Sequence, residues 1–162
     1  MASWATGSPN AITGRRVPLR FRLHTAMAGV PGLGGDLTRW TLDELAETAR
    51  YVAAYKAVRR TVQHGHLHRL TEPGGPGPHA VQYVGGDGAV LFEWRPAPDS
   101  RPAPPVRLRG LLFGARYRVT DDALPVTAPP ALFSGSARMS HGLPPTLPPG
   151  PFSSRMVTLR RE

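Results

Sequence analysis

Four glycines in seven positions, Gly29, Gly32, Gly34 and Gly35, precede a helix start in the stretch GVPGLGGDLTRWTLDEL, residues 29–45. A glycine-rich loop entering a helix is the usual cradle for a phosphate, so spacing decides. A dinucleotide fingerprint needs G-x-G-x-x-G and a P-loop needs G-x-x-x-x-G-K-[ST]; Gly32, Gly34 and Gly35 fit neither, and no Gly-Lys pair exists. The helix opens at Thr41, six residues after Gly35, where Thr41 and Glu44 form a T-x-x-E capping box that engages its first amides. The stretch therefore reads as a loop leaving a strand end and entering a capped helix.

Other chemistry-bearing groups are sparse. His64, His66 and His68 alternate, and on a strand they would share one face as a metal group does, yet Glu72 is the nearest acidic or thiol ligand type. Exposed or hydrogen-bonded histidines are the expected reading, and His24 and His141 stand alone. No G-x-S-x-G elbow occurs, FSGSAR lacks its flanking glycines, and the chain has no cysteine, which removes thiol nucleophiles, disulfides and thiolate zinc sites. Among the eleven acids, Asp43, Glu44 and Glu47 belong to a helix surface, Asp87 to a hairpin tip, and Asp121 and Asp122 to a turn. Asp36 alone falls where a strand end could open onto a pocket. A glycosidase needs two opposed carboxyl groups ~5–10 Å apart. We therefore assign no catalytic, substrate-binding or metal residue in this chain, and no cofactor.

At 162 residues the chain suffices for one ordinary domain or pieces of two, and it is short of the ~250 residues of a complete (β/α)₈ barrel. The net charge of +9 suggests nucleic acid, but 19 of the 20 basic residues are arginines scattered in ones and twos. With 18 glycines and 19 prolines, that is the mark of GC-rich coding and a solvated surface, so no nucleic-acid partner is expected. No apolar run reaches ~18 residues, and MASWATGSPN has neither a basic nor an apolar signal region. A cytoplasmic protein without membrane contact is the expectation.

Three textures succeed one another. LRFRLHTAMAG, residues 19–29, reads as a strand that turns apolar on both faces, as one covered by helices would. Residues 41–61 read as an amphipathic helix: Leu42, Leu45, Ala46, Ala49, Val52, Ala53 and Tyr55 form a stripe, with Trp40 and Leu45 at the staple positions. From His66 onward the period is two. HAVQYVGGDGAVLFEWR, residues 79–95, reads as a hairpin, and PVRLRG, ARYRV and FSSRMVTLRR alternate apolar and arginine positions as half-buried strands do. Pro-rich joints at 73–78, 96–105, 125–130 and 144–151 separate them, which suggests a small antiparallel β-sandwich.

Several segments, MASWATGSPNAITGRRVPL, FRLHTAMAG, LGGDLTRWTLDELAE, YKAVRRTVQHGHLHRL, AVQYV and MSHGLP, together resemble the C-terminal part of melibiase-type α-galactosidases, glycoside hydrolase family thirty-six. The resemblance is collinear over nearly the whole chain. It implies α/β plus all-β architecture: residues 1–65 as the end of a (β/α)₈ barrel, with its last strand and helix, and residues 66–162 as an antiparallel C-terminal β-sandwich. It also implies a retaining hydrolysis of terminal α-galactosides by two aspartates, in K-W-D-x-N-R and S-D-x-T-D-A type motifs. Neither motif occurs here, so the chain is expected to be inactive alone and to meet an α-galactoside only when the rest of the barrel is supplied. The family usually has an aromatic or acidic residue near the S-x-x-P-N loop and His-Gln after its Asn. Gly7, Ala11 and Ile12 depart from that, so no sugar contact is assigned to Ser8 or Asn10. Aspartate and tyrosine are frequent where this chain has His66 and His68, which suits a tolerant surface. The alternative is a non-catalytic carbohydrate-associated or scaffold module that binds through Trp4, Trp40 or Trp94.

Overall fold

The structure, a computed structural model, describes residues 2–10, 12–72, 77–97, 104–123, 131–147 and 150–162. Most of the Pro-rich joints lie outside them. The chain divides into two compact units, Met1–Arg59 and Arg60–Glu162.

The first unit is a β-α-β-α run: β1 (Ala2–Ala5), α1 (Leu19–Met27), β2 (Val30–Leu33) and the start of α2 (Leu42–His64). The strands β1 and β2 pair in parallel, Ala2 opposite Val30 and Ala5 opposite Leu33. The segment 19–29 expected as a strand is helix α1. Leu19, Leu23, Ala26 and Met27, which it buries together with His24, recur at helical spacing, and Leu19, Leu23 and Ala26 pack with Ala5 into one cluster. Its backbone bonds close locally, with the Ala28 amide donating to the His24 carbonyl at 3.2 Å. A strand emerges instead inside the glycine stretch, as β2. Helix α2 starts where its capping box placed it: the Thr41 amide donates to Glu44 Oε2 at 2.9 Å and the Glu44 amide to Thr41 Oγ1 at 3.2 Å.

The second unit is built on one six-stranded antiparallel sheet in the order β3-β4-β5-β8-β6-β7. Its strands are β3 (His66–Arg69), β4 (His79–Gly85), β5 (Gly88–Arg95), β6 (Arg116–Asp121), β7 (Ala131–Ser134) and β8 (Ser153–Arg161), with α3 (Gly135–Ser140) after β7. The expected hairpin is β4–β5, closed over Gly86 and Asp87 with Gly85 opposite Gly88. Where a sandwich of two sheets was expected, the described strands form this single sheet, and irregular chain packs on its core face. Leu91, Val157, Leu159, Val119 and Tyr117 meet Leu108, Leu111 and Leu143 there.

PVRLRG supplies part of that cover and is not a strand, although Val106 makes one bridge to Leu143. Its backbone groups bond elsewhere. Buried Gln82 clasps Arg109 through both ends of its amide, accepting from the Arg109 N–H at 2.8 Å and donating to the Arg109 carbonyl at 2.9 Å. The Leu108 amide donates to the Arg138 carbonyl of α3 at 3.2 Å. With those groups satisfied, no ladder is needed.

Candidate functional site

Within the first unit, the polar groups that could meet a ligand gather beyond the C-terminal ends of the two parallel strands. Alternation along β1 sends Ala5, fully buried, toward α1, and Trp4 to the opposite side of the sheet, where it is 66% exposed. Trp4 stands opposite Gly32 in the parallel register. A Cβ on Gly32 would lie 2.7 Å from the indole, so the ring occupies the space that a side chain there would take. Gly34 repeats the arrangement one pleat further on, with Thr6 Cγ2 at 3.3 Å and the Trp4 ring at 3.5 Å from where its Cβ would be. Gly35 adopts φ +103°, a turn open to glycine, and brings its chain alongside Gly7. The glycines seen first in the sequence thus seat an aromatic ring and turn the chain.

Past the strands, the two loops border a cleft of about 640 Å³ lined by Thr6, Ser8, Asn10, Arg22, Asp36 and Trp40, among others. Local hydrogen bonds brace each loop. Asn10 Oδ1 accepts from the amides of Ile12 at 3.0 Å and Thr13 at 2.9 Å, Ser8 Oγ accepts from the Val17 amide at 3.2 Å, and Asp36 Oδ1 accepts from the Thr38 amide at 3.0 Å. Arg22, from α1, ties the walls together: its Nε donates to the Val17 carbonyl at 3.0 Å, Nη1 donates to the Thr6 carbonyl, and the guanidinium lies 5.9 Å from the Trp40 ring. Burial lowers the Arg22 pKa, and Glu44 and Glu47 oppose that shift by their charge.

Ser8 and Asn10, which the sequence left without a role, therefore line the same cleft as Asp36. The cleft's two carboxylates, Asp36 and Glu44, are each engaged in a cap, one at Thr38 and the other at Thr41. Such a cleft can hold a hydroxyl-rich ligand by hydrogen bonding. A nucleophile facing an acid is absent from its described lining.

The remaining candidates each lie within one of the two units. His64 ends α2, whereas His66 and His68 lie on β3, so the three do not share a strand face. The His68 ring fills the space beside Gly110, 2.8 Å from where a Cβ would be. No group of three or more His, Cys, Asp or Glu that could hold a metal occurs among the described residues. No helix described is long and apolar enough to cross a membrane. Trp94 stacks on Phe92 with centroids 5.9 Å apart, and Trp40 packs half-buried against the Ala5 cluster.

A charged cluster in the second unit was missed in the sequence. Arg155 is 1% exposed on β8; its Nε donates to Glu93 Oε2 at 2.6 Å and its Nη1 to Asp121 Oδ2 at 2.8 Å and to Thr146 Oγ1. Glu93 lies directly opposite Arg155 on β5, and Asp121 ends β6 on the other flank. On β6, the Arg118 guanidinium hydrogen-bonds Glu162 at 2.7 Å, which lowers the Glu162 pKa and raises that of Arg118. That pair is exposed and screened by solvent, unlike Arg155.

Comparison with known proteins settles the family. The sequence pattern of the glycosyl hydrolase family 36 C-terminal domain matches residues 78–159, more than half of the chain. The chain belongs to glycosyl hydrolase family 36. Relatives match beyond that domain as well: α-galactosidase C of Emericella nidulans is 33% identical over 165 residues, covering all of this chain and 21% of its own. The crystal structure of the α-galactosidase AgaB from Geobacillus stearothermophilus superposes over the whole chain with TM-score 0.87 and 30% identity. A variant of AgaA from the same organism, in complex with raffinose, does so with TM-score 0.88 and 28% identity. Both cover all of this chain and 22% of their own. The chain thus spans about a fifth of the length of the family 36 enzymes it matches.

Proposed function

We propose that this chain is the C-terminal part of a retaining α-galactosidase. In this reading residues 1–65 form the last two strand–helix units of a (β/α)₈ barrel and the six-stranded sheet is the domain that follows. Terminal α-galactosides are hydrolysed by two aspartates borne on residues outside these 162, with no cofactor. The observation that carries the reading is the collinear likeness to α-galactosidases over both units, not only over the matched C-terminal domain.

Physical features of the first unit support it. A parallel pair linked through a helix is the repeat of a β/α barrel, and parallel sheets are stable when both faces are covered. Here β1 and β2 pair only with each other among the described strands, and Val30, Leu33, Leu42 and Val52 leave apolar surface exposed. The cleft lies at the C-terminal ends of the strands, the side on which barrel enzymes carry their chemistry. Relatives solved with raffinose and with stachyose suggest galactosyl oligosaccharides as the substrate class. The DNA preceding this sequence tests the reading: a continuous frame encoding K-W-D-x-N-R and S-D-x-T-D-A type motifs is expected, and an upstream region without them would sink it.

A further inference from the structure

We propose that the side of β6 and β8 turned away from the core carries a site for a phosphate dianion, formed by Arg116, Arg118 and Arg160 and held in part by the Glu162 carboxylate. In the sequence these arginines fall among others scattered in ones and twos, and the register of β6 and β8 gathers them. Arg118 lies directly opposite Arg160 across the two strands, and Arg116, two residues before Arg118, shares its side of the sheet. Tyr117, Val119 and Leu159, which alternate with them, belong to the core. All three arginines are exposed, with 51% of the Arg118 side chain open to solvent. A sheet loses stability where like charges stand directly opposite each other, so the pairing is unfavourable as a purely structural choice. Such breaks with a local rule are retained at functional sites.

The group already seated among the arginines shows which charge they accept. The Glu162 amide donates to the Arg116 carbonyl at 3.0 Å, and Glu162 Oε1 accepts from Arg118 Nε at 2.7 Å. That hydrogen bond, and then the charges of Arg118, Arg160 and Arg116, outweigh desolvation and hold the Glu162 carboxyl below its ordinary range. Neither Arg116 nor Arg160 forms an ion pair among the described residues. One carboxylate thus faces three guanidinium groups and leaves two positive charges uncompensated, which matches inorganic phosphate or a phosphate monoester near neutral pH. Guanidinium donors fit phosphate oxygens in geometry, and arginine stays protonated throughout the working range of pH. Glu162 is then a built-in competitor, which a dianion must displace from Arg118 to engage all three arginines.

Nuclear magnetic resonance of the backbone amides of the 162-residue chain tests this, in titrations with inorganic phosphate and with glucose 6-phosphate at an ionic strength held constant by chloride. Saturable shifts are expected at Arg118, Arg160 and Glu162, in the millimolar range. Arg160→Gln should weaken binding about fivefold or more. Arg107→Gln removes the same charge from exposed chain that covers the other side of the sheet, and should leave binding unchanged. Glu162→Gln should tighten binding about two- to fivefold, the worth of the exposed ion pair it removes. Glu72→Gln, an equal change of charge after β3 at the far edge of the sheet, should not. All four positions are exposed, and unchanged amide shifts elsewhere report an intact fold. Equal affinity for the two ligands would assign the site to phosphate itself, and about tenfold tighter glucose 6-phosphate would assign it to a sugar phosphate; either upholds the dianion site. Equal weakening by Arg160→Gln and Arg107→Gln would overturn it, as would a Glu162→Gln chain that binds no better than the Glu72→Gln chain. Absence of saturable shifts with both ligands would overturn it outright. The α-galactosidase reading rests on other residues and stands or falls separately.

Discussion

Replacing Arg155 with methionine should destabilise the second unit by about 3–5 kcal/mol. Arg155 is the countercharge for two carboxylates, Glu93 at 1% side-chain exposure and Asp121 at 9%. Removing it strips Glu93 of the donor that holds it and leaves Asp121 with only the Ala123 amide and the Thr146 hydroxyl, so two carboxylates stay in the interior without their countercharge. The effect also spreads along the sheet, because β8 lies between β5 and β6 and the guanidinium ties all three strands. Urea unfolding followed by tryptophan fluorescence checks this, with Trp94 adjacent to Glu93 as the local reporter. Neutralising the group as a whole, with Glu93→Leu and Asp121→Asn added to Arg155→Met, should restore much of the lost stability. A loss below about 1 kcal/mol for Arg155→Met alone would show that the cluster does not hold the sheet.

Gly88→Ala should cost about 3 kcal/mol or more, by a different route. Gly88 opens β5 with φ +154°, and a Cβ there would lie 1.9 Å from the Leu159 carbonyl oxygen of β8. The obstacle is backbone on a central strand, so relief requires β5 and β8 to part where Gly88 pairs with Arg160 and Ala89 with Leu159. By contrast, nothing lies within 4 Å of a Cβ added at Gly86 in the same hairpin, and Gly86→Ala should leave stability within about 0.5 kcal/mol. Thermal and urea midpoints of the two variants give the comparison. Equal stability of Gly88→Ala and Gly86→Ala would mean that the hairpin joins the sheet in another way.

Elements with an unambiguous period could be read from the chain alone. The T-x-x-E box placed the start of α2, although of its expected apolar stripe only Tyr55 is buried and Thr48 and Val62 are buried beside it. Strict alternation around Gly-Gly-Asp-Gly gave the β4–β5 hairpin. Segment 19–29 was misread because Leu19, Phe21 and Leu23 alternate over the same residues in which Leu19, Leu23, Ala26 and Met27 form a helical stripe. The strand β2 was hidden by its own residues, since Pro31 and Gly32 both weigh against a strand; Gly32 is there because Trp4 lies on it. PVRLRG alternates like a strand, yet its backbone bonds go to Gln82 and to neighbouring irregular chain, a tertiary outcome that no local pattern carries. In the cleft, Asp36 could be singled out from its place at a strand end. Ser8 and Asn10 border the same cleft as Asp36 only through the parallel pairing of β1 with β2, a long-range contact that no local pattern carries. Arg155 looked like another solvated arginine in an alternating strand, and only the opposing Glu93 explains why it is buried.

Nitrophenol release from nitrophenyl α-galactoside, measured on the purified chain and on the same chain joined to the remaining barrel of the Geobacillus relative in place of that enzyme's matching segment, tests the central claim most directly. The account predicts background release by the chain alone and turnover by the joined protein, with none on the β-anomer. Turnover by the chain alone, or a folded joined protein that stays at background, would contradict it.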